Sequence, residues 1–310
     1  MAVLNPPRAA TPIDTSKGTL LLTTNTRRKV TDRVAACAIG GAFALAMVPL
    51  MLITWQVVDK GAAAMGTEFF TYSMRNIIGA GGGIYHALVG TLLISGAATV
   101  ISVPVGMLTA IYLVEYGADT VLARTITLLV DVMTGIPSII AGLFAYALFT
   151  MIFGPGVRMG IGGAVALSVL MTPVVVRTSE EMLNIVPHEL RESAYALGVP
   201  RWRTIVKVVV PTASGGLLAG VVLAIARIIG ETAPLLLIAG TTASSNWNLF
   251  DGRMQTLPVF AFSQQNSPGM FPEAALERAW GAALVLMIIV MALNLIARAI
   301  AAIFAPKGDH

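Results

Sequence analysis

Residues 187–211 read PHELRESAYALGVPRWRTIVKVVVP, and they lie between two long apolar runs, one over 160–177 and one over 211–240. Pro187 suits the first turn of a helix, and Glu189 follows where the helix dipole favours negative charge. Leu190, Ala194 and Leu197 recur at spacings of four and three and give one apolar stripe. Gly198 fits the left-handed residue that closes a helix, and Pro200 can open another. The pattern predicts two short helices meeting at a fixed elbow between apolar segments of membrane-crossing length. Two readings of this elbow are open: an amphipathic connector lying on a lipid surface, or a docking surface for a partner.

Composition extends the same reading to the whole chain. Of 310 residues, 56% are hydrophobic and only 12% charged, with a mean hydropathy of +0.81. A soluble domain carries about 25% charged residues, so a water-soluble fold of this length is excluded. Apolar runs at 34–58, 85–114, 125–153, 160–177, 211–240 and 279–304 are each long enough to cross a hydrocarbon layer of about 30 Å. The expectation is an all-α integral membrane protein with six transmembrane helices. Residues 1–33, rich in Thr, Pro and Arg, read as a disordered tail. The run that follows, 34–58, is far longer than the roughly 7–15 apolar residues of a cleaved signal peptide. It reads as an uncleaved first span.

Positive charge supplies the orientation. With six spans, fourteen of the 20 Lys and Arg residues fall on the side holding both termini, the 115–124 connection and the 177–210 stretch. Five fall on the opposite side, and Arg227 lies within a span. By the positive-inside rule both termini, including 305–310, are cytoplasmic, and the polar 241–278 segment is external. Basic residues scattered among short polar stretches form no duplex-binding stripe, so no nucleic-acid partner is expected.

The chemistry the chain lacks is as informative. It has no Gly-rich loop ending in Gly-Lys-Ser/Thr, no His-Glu-x-x-His, and no Cys/His cluster with metal-ligand spacing. Its one cysteine, Cys37, sits in an apolar run, and its histidines are His86, His188 and His310. No catalytic residue and no metal ligand is assigned. Uphill transport by such a chain requires an ion gradient or an energy-supplying partner.

Glu192-Ser193-Ala194, three residues, Gly198, nine residues, then Val208-Val209-Val210-Pro211 resembles the Glu-Ala-Ala loop of permease subunits in bacterial ATP-driven importers. That family's pattern is Glu-Ala-Ala, three residues, Gly, nine residues, Ile-x-Leu-Pro. Ser193, Val208 and Val210 are small or apolar replacements within it. Ile84-Tyr85-His86-Ala87-Leu88-Val89-Gly90-Thr91-Leu92, Pro104-Val105-Gly106, Tyr112-Leu113-Val114-Glu115-Tyr116, Gly135-Ile136-Pro137-Ser138-Ile139 and Gly230-Glu231-Thr232-Ala233-Pro234-Leu235 are similar to phosphate permeases of the PstA type. The resemblance covers about 84–304. It implies the type I importer permease fold, with the elbow residues Glu192, Ser193, Ala194, Leu197, Gly198, Pro200 and Pro211 acting as a coupling element. On this resemblance the elbow seats in a groove of a separate ATPase subunit, and ATP and Mg bind there, not on this chain. The implied partners are a second permease of the PstC type, two copies of a PstB-type ATPase and an external phosphate-binding protein of the PstS type. The implied location is the bacterial cytoplasmic membrane.

Within the span 211–240, Arg227 lies 16 residues after Pro211 and 13 before Gly240, about 24 Å and 20 Å along a helix axis. Facing lipid there would cost from about 3 to over 10 kcal/mol, so it must face protein or a wet cavity. Glu231 is one helical turn on and can pair with it. Gly216, Gly220 and Ala224 form a small-residue stripe that lets helices approach, on the face expected to carry the pair. Two roles are open: a buried salt bridge fixing helix register, or an anion contact in which Arg227 binds, Glu231 holds or repels, and Thr232 lies beside them on the substrate path. A guanidinium fork suits an oxyanion, and a nearly neutral pair would release it.

Asp131 reads as solvated near a span end, Pro104, Pro137 and Pro234 as kinks or breaks, and His86 as interfacial. The functional expectation is a permease subunit importing phosphate by alternating access. The alternatives are a permease for another oxyanion, an ion-coupled secondary transporter using Arg227, Glu231 and Asp131 as a charge relay, or a non-transporting scaffold. Energy source separates the first two from the third: ATP depletion at a held membrane potential abolishes only ATP-driven uptake.

Overall fold

The computed structural model describes residues 26–117 and 120–304, and among these every regular element is helical. The chain divides into two units, 1–54 and 55–310. Helix α1 (Thr26–Ala62), most of which belongs to the first unit, begins eight residues before the expected span and carries Pro49 in its interior. Residues 26–33, assigned above to a disordered tail, are therefore helical, whereas 1–25 and 305–310 lie outside the described residues.

The second unit is a bundle organised around two long helices, α3 (Tyr85–Ile111) and α6 (Gly160–Ile185), which pack along most of their lengths. Between them in sequence come α4 (Val121–Thr134) and α5 (Ser138–Phe153), and the short α2 (Thr67–Thr71) precedes α3. Because lipid is as apolar as leucine, association depends on close packing and interhelical hydrogen bonds. Buried Ile94 and Ala98 of α3 meet Leu167 and Met171 of α6 in one apolar cluster. Beside it the buried Ser102 hydroxyl donates to the Ser168 carbonyl, 3.4 Å away. Pro104 lies inside α3 without breaking it.

The expected span 125–153 is broken. α4 and α5 meet at 106° across Gly135-Ile136-Pro137. Proline has no N–H and drives the preceding residue out of helical geometry, so the apolar run turns back on itself. Among the described residues five helices are long and apolar enough to cross a membrane, and the bent pair makes a sixth if it counts as one span.

The 178–210 connection also differs from the expected pair of short helices. α6 continues to Ile185, and only α7 (His188–Ala196) is an isolated short helix. α8 (Arg201–Thr204), a wide turn over Ile205–Val209 and α9 (Val210–Ile229) form one continuous helix of 29 residues. Pro211 follows the wide turn, in which the Val210 N–H donates to the Ile205 carbonyl five residues back. That i→i+5 pattern relieves the clash a proline ring makes with the carbonyl four residues earlier.

α9 stops at Ile229, short of the expected Gly240, and a separate α10 (Ala233–Ile238) begins with Pro234 in its first turn. The 241–278 segment is no simple loop. It contains α11 (Leu257–Asn266), whose Leu257 and Phe260 are buried, and α12 (Pro272–Phe304) starts within it. The Thr91 hydroxyl accepts the Leu257 N–H at 2.9 Å, capping α11 onto α3. His86, in the first turn of α3, is buried against the Phe260 ring.

Candidate functional site

The elbow is closed by backbone geometry. Gly198 has φ +74°, and its N–H donates to the Tyr195 carbonyl at 2.9 Å while the Val199 N–H donates to the Ala194 carbonyl at 3.1 Å. These two bonds are the complete Schellman closure. A Cβ at Gly198 would touch nothing within 4 Å, so glycine is needed for its left-handed backbone and not for space. Pro187 is the residue capping α7, and Pro200 caps α8.

The expected stripe divides. Ala194 is buried at 8% exposure, but Leu197 is 83% exposed at the tip of the elbow. Trp202 and Val206 are exposed beyond it, and Glu192 and Ser193 are exposed on α7. The result is an apolar knuckle edged by charge, held on a rigid turn.

Sequence reasoning missed what anchors this knuckle. Arg191 (8% exposed) reaches Glu115 (3% exposed), with Nε at 3.0 Å and a terminal nitrogen at 2.8 Å from the same carboxylate oxygen. The same terminal nitrogen also donates to the Leu183 carbonyl at 2.9 Å, and the other terminal nitrogen donates to the Val186 carbonyl at 2.6 Å. These carbonyls belong to the end of α6, where a helix leaves acceptors without intrahelical partners. Arg201 lies over the Tyr116 ring, 5.1 Å from its centroid. The two residues of α3's tail are thus held from α7 and from α8. The pair is 76 residues apart in sequence, a separation no local pattern reports. The one sequence signal was Glu115 itself, a carboxylate directly after a long apolar run.

The other candidate residues lie toward the opposite end of α9. Arg227 is in its last turn, Glu231 is in the break after it, and Thr232 is the residue capping α10 without a side-chain bond. The expected Arg227–Glu231 pair does not form. Ion pairs among the described residues are Arg177–Asp131, Arg177–Glu180 and Arg191–Glu115. The helix ends before Glu231, so the one-turn relation that would stack the two side chains is lost. Asp131 is exposed, as expected, and paired across to α6.

The small-residue stripe does pack, but Arg227 is not on it. A Cβ on Gly216 would come within 2.2 Å of the Met182 sulfur, and one on Gly220 within 3.0 Å of the Thr178 hydroxyl. The stripe continues four residues at a time through buried Ala224 to buried Ile228. Arg227 is offset from it by about 100° and exposed, one turn beyond exposed Leu223. A cavity of about 520 Å³ between α9 and α12 is lined by Ala219, Leu223, Asn294 and Arg298. Arg298 is an exposed cation within α12.

Residues 102–309 match the family of binding-protein-dependent transport system inner membrane components. A phosphate transport system permease protein PstA 1 of Mycobacterium tuberculosis (strain CDC 1551 / Oshkosh) is 43% identical over 87% of this chain and 88% of that one. A phosphate transport system permease protein PstA of Pasteurella multocida (strain Pm70) is 39% identical over 83% and 88%. An inward-facing structure of the MetNI methionine ABC transporter shares the fold, with a TM-score of 0.54 and 22% identity, covering 70% of this chain and 94% of that chain.

Proposed function

The chain belongs to the PstA-type permeases within the binding-protein-dependent transport system inner membrane components, and we propose that it forms half of the membrane pathway of an ATP-driven phosphate importer. The observation that carries the phosphate assignment is 43% identity across nearly nine-tenths of a relative named as a phosphate permease. The elbow supports ATP coupling by a separate subunit. It presents an exposed apolar knuckle on a turn locked by Gly198, while the sequence offers no phosphate cradle of its own. The chain then works with a second, PstC-type permease, two PstB-type ATPase subunits that bind ATP and Mg, and an external PstS-type binding protein. The elbow, both termini and the ends of α3 and α6 face the cytoplasm of a bacterial inner membrane, by the asymmetry of Lys and Arg.

In this arrangement ATP-driven closure of the ATPase subunits pushes the elbow, and the bundle alternates between outward and inward openings. Arg227, exposed and without an ion-pair partner among the described residues, meets the anion. Glu231, in the break beyond the helix end, competes for the guanidinium as the anion leaves, keeping the site shallow enough to release its cargo. The test is uptake of labelled phosphate, sulfate and molybdate into proteoliposomes holding the complete assembly. ATP-dependent accumulation of phosphate, reduced in Arg227→Ala at equal membrane abundance, is expected. Preferential uptake of another oxyanion, or concentrative uptake by this chain alone, contradicts the reading.

A further inference from the structure

The elbow is joined through the chain itself to two membrane helices: α6 runs into α7, and α8 runs into α9. α3 has no such covalent link, although it forms the central wall against α6. Among the described residues, the polar connection from the end of α3 to α7 is the buried pair of Glu115, in the turn that follows α3, with Arg191. Resting on the reading of the elbow as the part gripped by an ATPase, we propose that Glu115 is where the elbow's displacement is handed to α3. Arg191 pulls the helix end along, and Arg201 over Tyr116 steadies it.

Three features support a transmitting rather than a merely packing role. First, Arg191 is a three-way pin. It belongs to α7, binds the carboxylate after α3, and takes the Leu183 and Val186 carbonyls at the end of α6. Any rotation of α7 therefore displaces both helix ends together. Second, Glu115 sits in a wide turn over Tyr112–Tyr116, closed by the Gly117 N–H on the Tyr112 carbonyl at 2.7 Å. The elbow's exit into α9 has a matching wide turn over Ile205–Val209. Such i→i+5 turns change pitch more readily than α-helix and recur at functional sites. The helix that continues from the elbow, α9, and the helix pinned to it, α3, thus each adjoin one compliant turn, and Val114 and Val209 from the two turns share one apolar cluster. Third, a buried ion pair gives little net stability over well-packed apolar side chains of the same volume, so stability alone is a weak reason for this one.

The experiment compares Glu115→Gln and the double variant Glu115→Leu/Arg191→Met, each in the complete assembly with its ATPase subunits and binding protein. The double variant removes both charges without stranding either. Phosphate uptake and ATP hydrolysis are measured in the same proteoliposomes, with thermal midpoint and co-purification of the ATPase subunits as controls. The double variant is expected to assemble and to hydrolyse ATP within about twofold of wild type, while uptake per ATP falls about tenfold. Glu115→Gln is expected to lower the same ratio by a smaller factor. An unchanged ratio in an assembled double variant overturns the proposal. If the double variant does not assemble, Glu115→Gln decides: a lowered ratio supports the proposal and a wild-type ratio overturns it. A wild-type assembly with no ATP-dependent phosphate uptake instead overturns the functional reading, and this inference falls with it.

Discussion

The continuous helix from Arg201 to Ile229 has two ends built on opposite principles. Before its start the polar groups are spoken for within the chain: the Gly198 turn closes the Ala194 and Tyr195 carbonyls of α7, and Arg191 makes four hydrogen bonds, to one carboxylate oxygen and two backbone oxygens. At its finish Arg227, Glu231 and Thr232 stand beside a helix break, with no ion pair between them. On the proposed function, a region that carries force needs fixed geometry, and a region that takes up and lets go of an ion needs groups left open.

Mutations at the two ends should therefore separate stability from transport. The largest stability loss is expected for Arg191→Ala, which strands a buried carboxylate and should cost about 3–5 kcal/mol, read as a lower thermal midpoint and lower membrane abundance. Gly198→Ala forces a left-handed L-residue and should cost about 1–2 kcal/mol by the same measurement. Leu197→Glu changes an exposed side chain, so its stability effect should stay within about 0.5 kcal/mol, yet the ATPase subunits should no longer co-purify. Arg227→Ala should be the mildest of all for stability while lowering phosphate uptake about tenfold or more, as expected for loss of a charged hydrogen-bonding contact. An Arg227→Ala protein as unstable as Arg191→Ala would erase the contrast between the two ends.

Much of the fold was legible because membrane spans announce themselves by apolar length, and punctuation by Gly and Pro is local. Gly198 and Pro200 fixed the elbow, and Pro137 sits at the sharp break that span counting had smoothed over. Hydropathy ran on unbroken past Ile229 and concealed the end of α9, although Pro234 opening α10 was a visible signal that the helix had restarted. The placement of Arg227 failed for a geometric reason. A residue three positions after Ala224 and one before Ile228 lies a quarter-turn off the packed stripe, so the buried face and the charged face are different faces. The Glu115–Arg191 pin was beyond reach, since its partners meet only when α3 and α7 are folded together.

The most direct test of a gate driven by a separate motor through the elbow is ATP-dependent phosphate accumulation by the complete assembly with Leu197→Glu, measured beside wild type at equal abundance of this chain. The expected result is loss of accumulation together with loss of bound ATPase subunits, while the chain keeps the wild-type thermal midpoint. Full coupled uptake with that exposed leucine charged would contradict it.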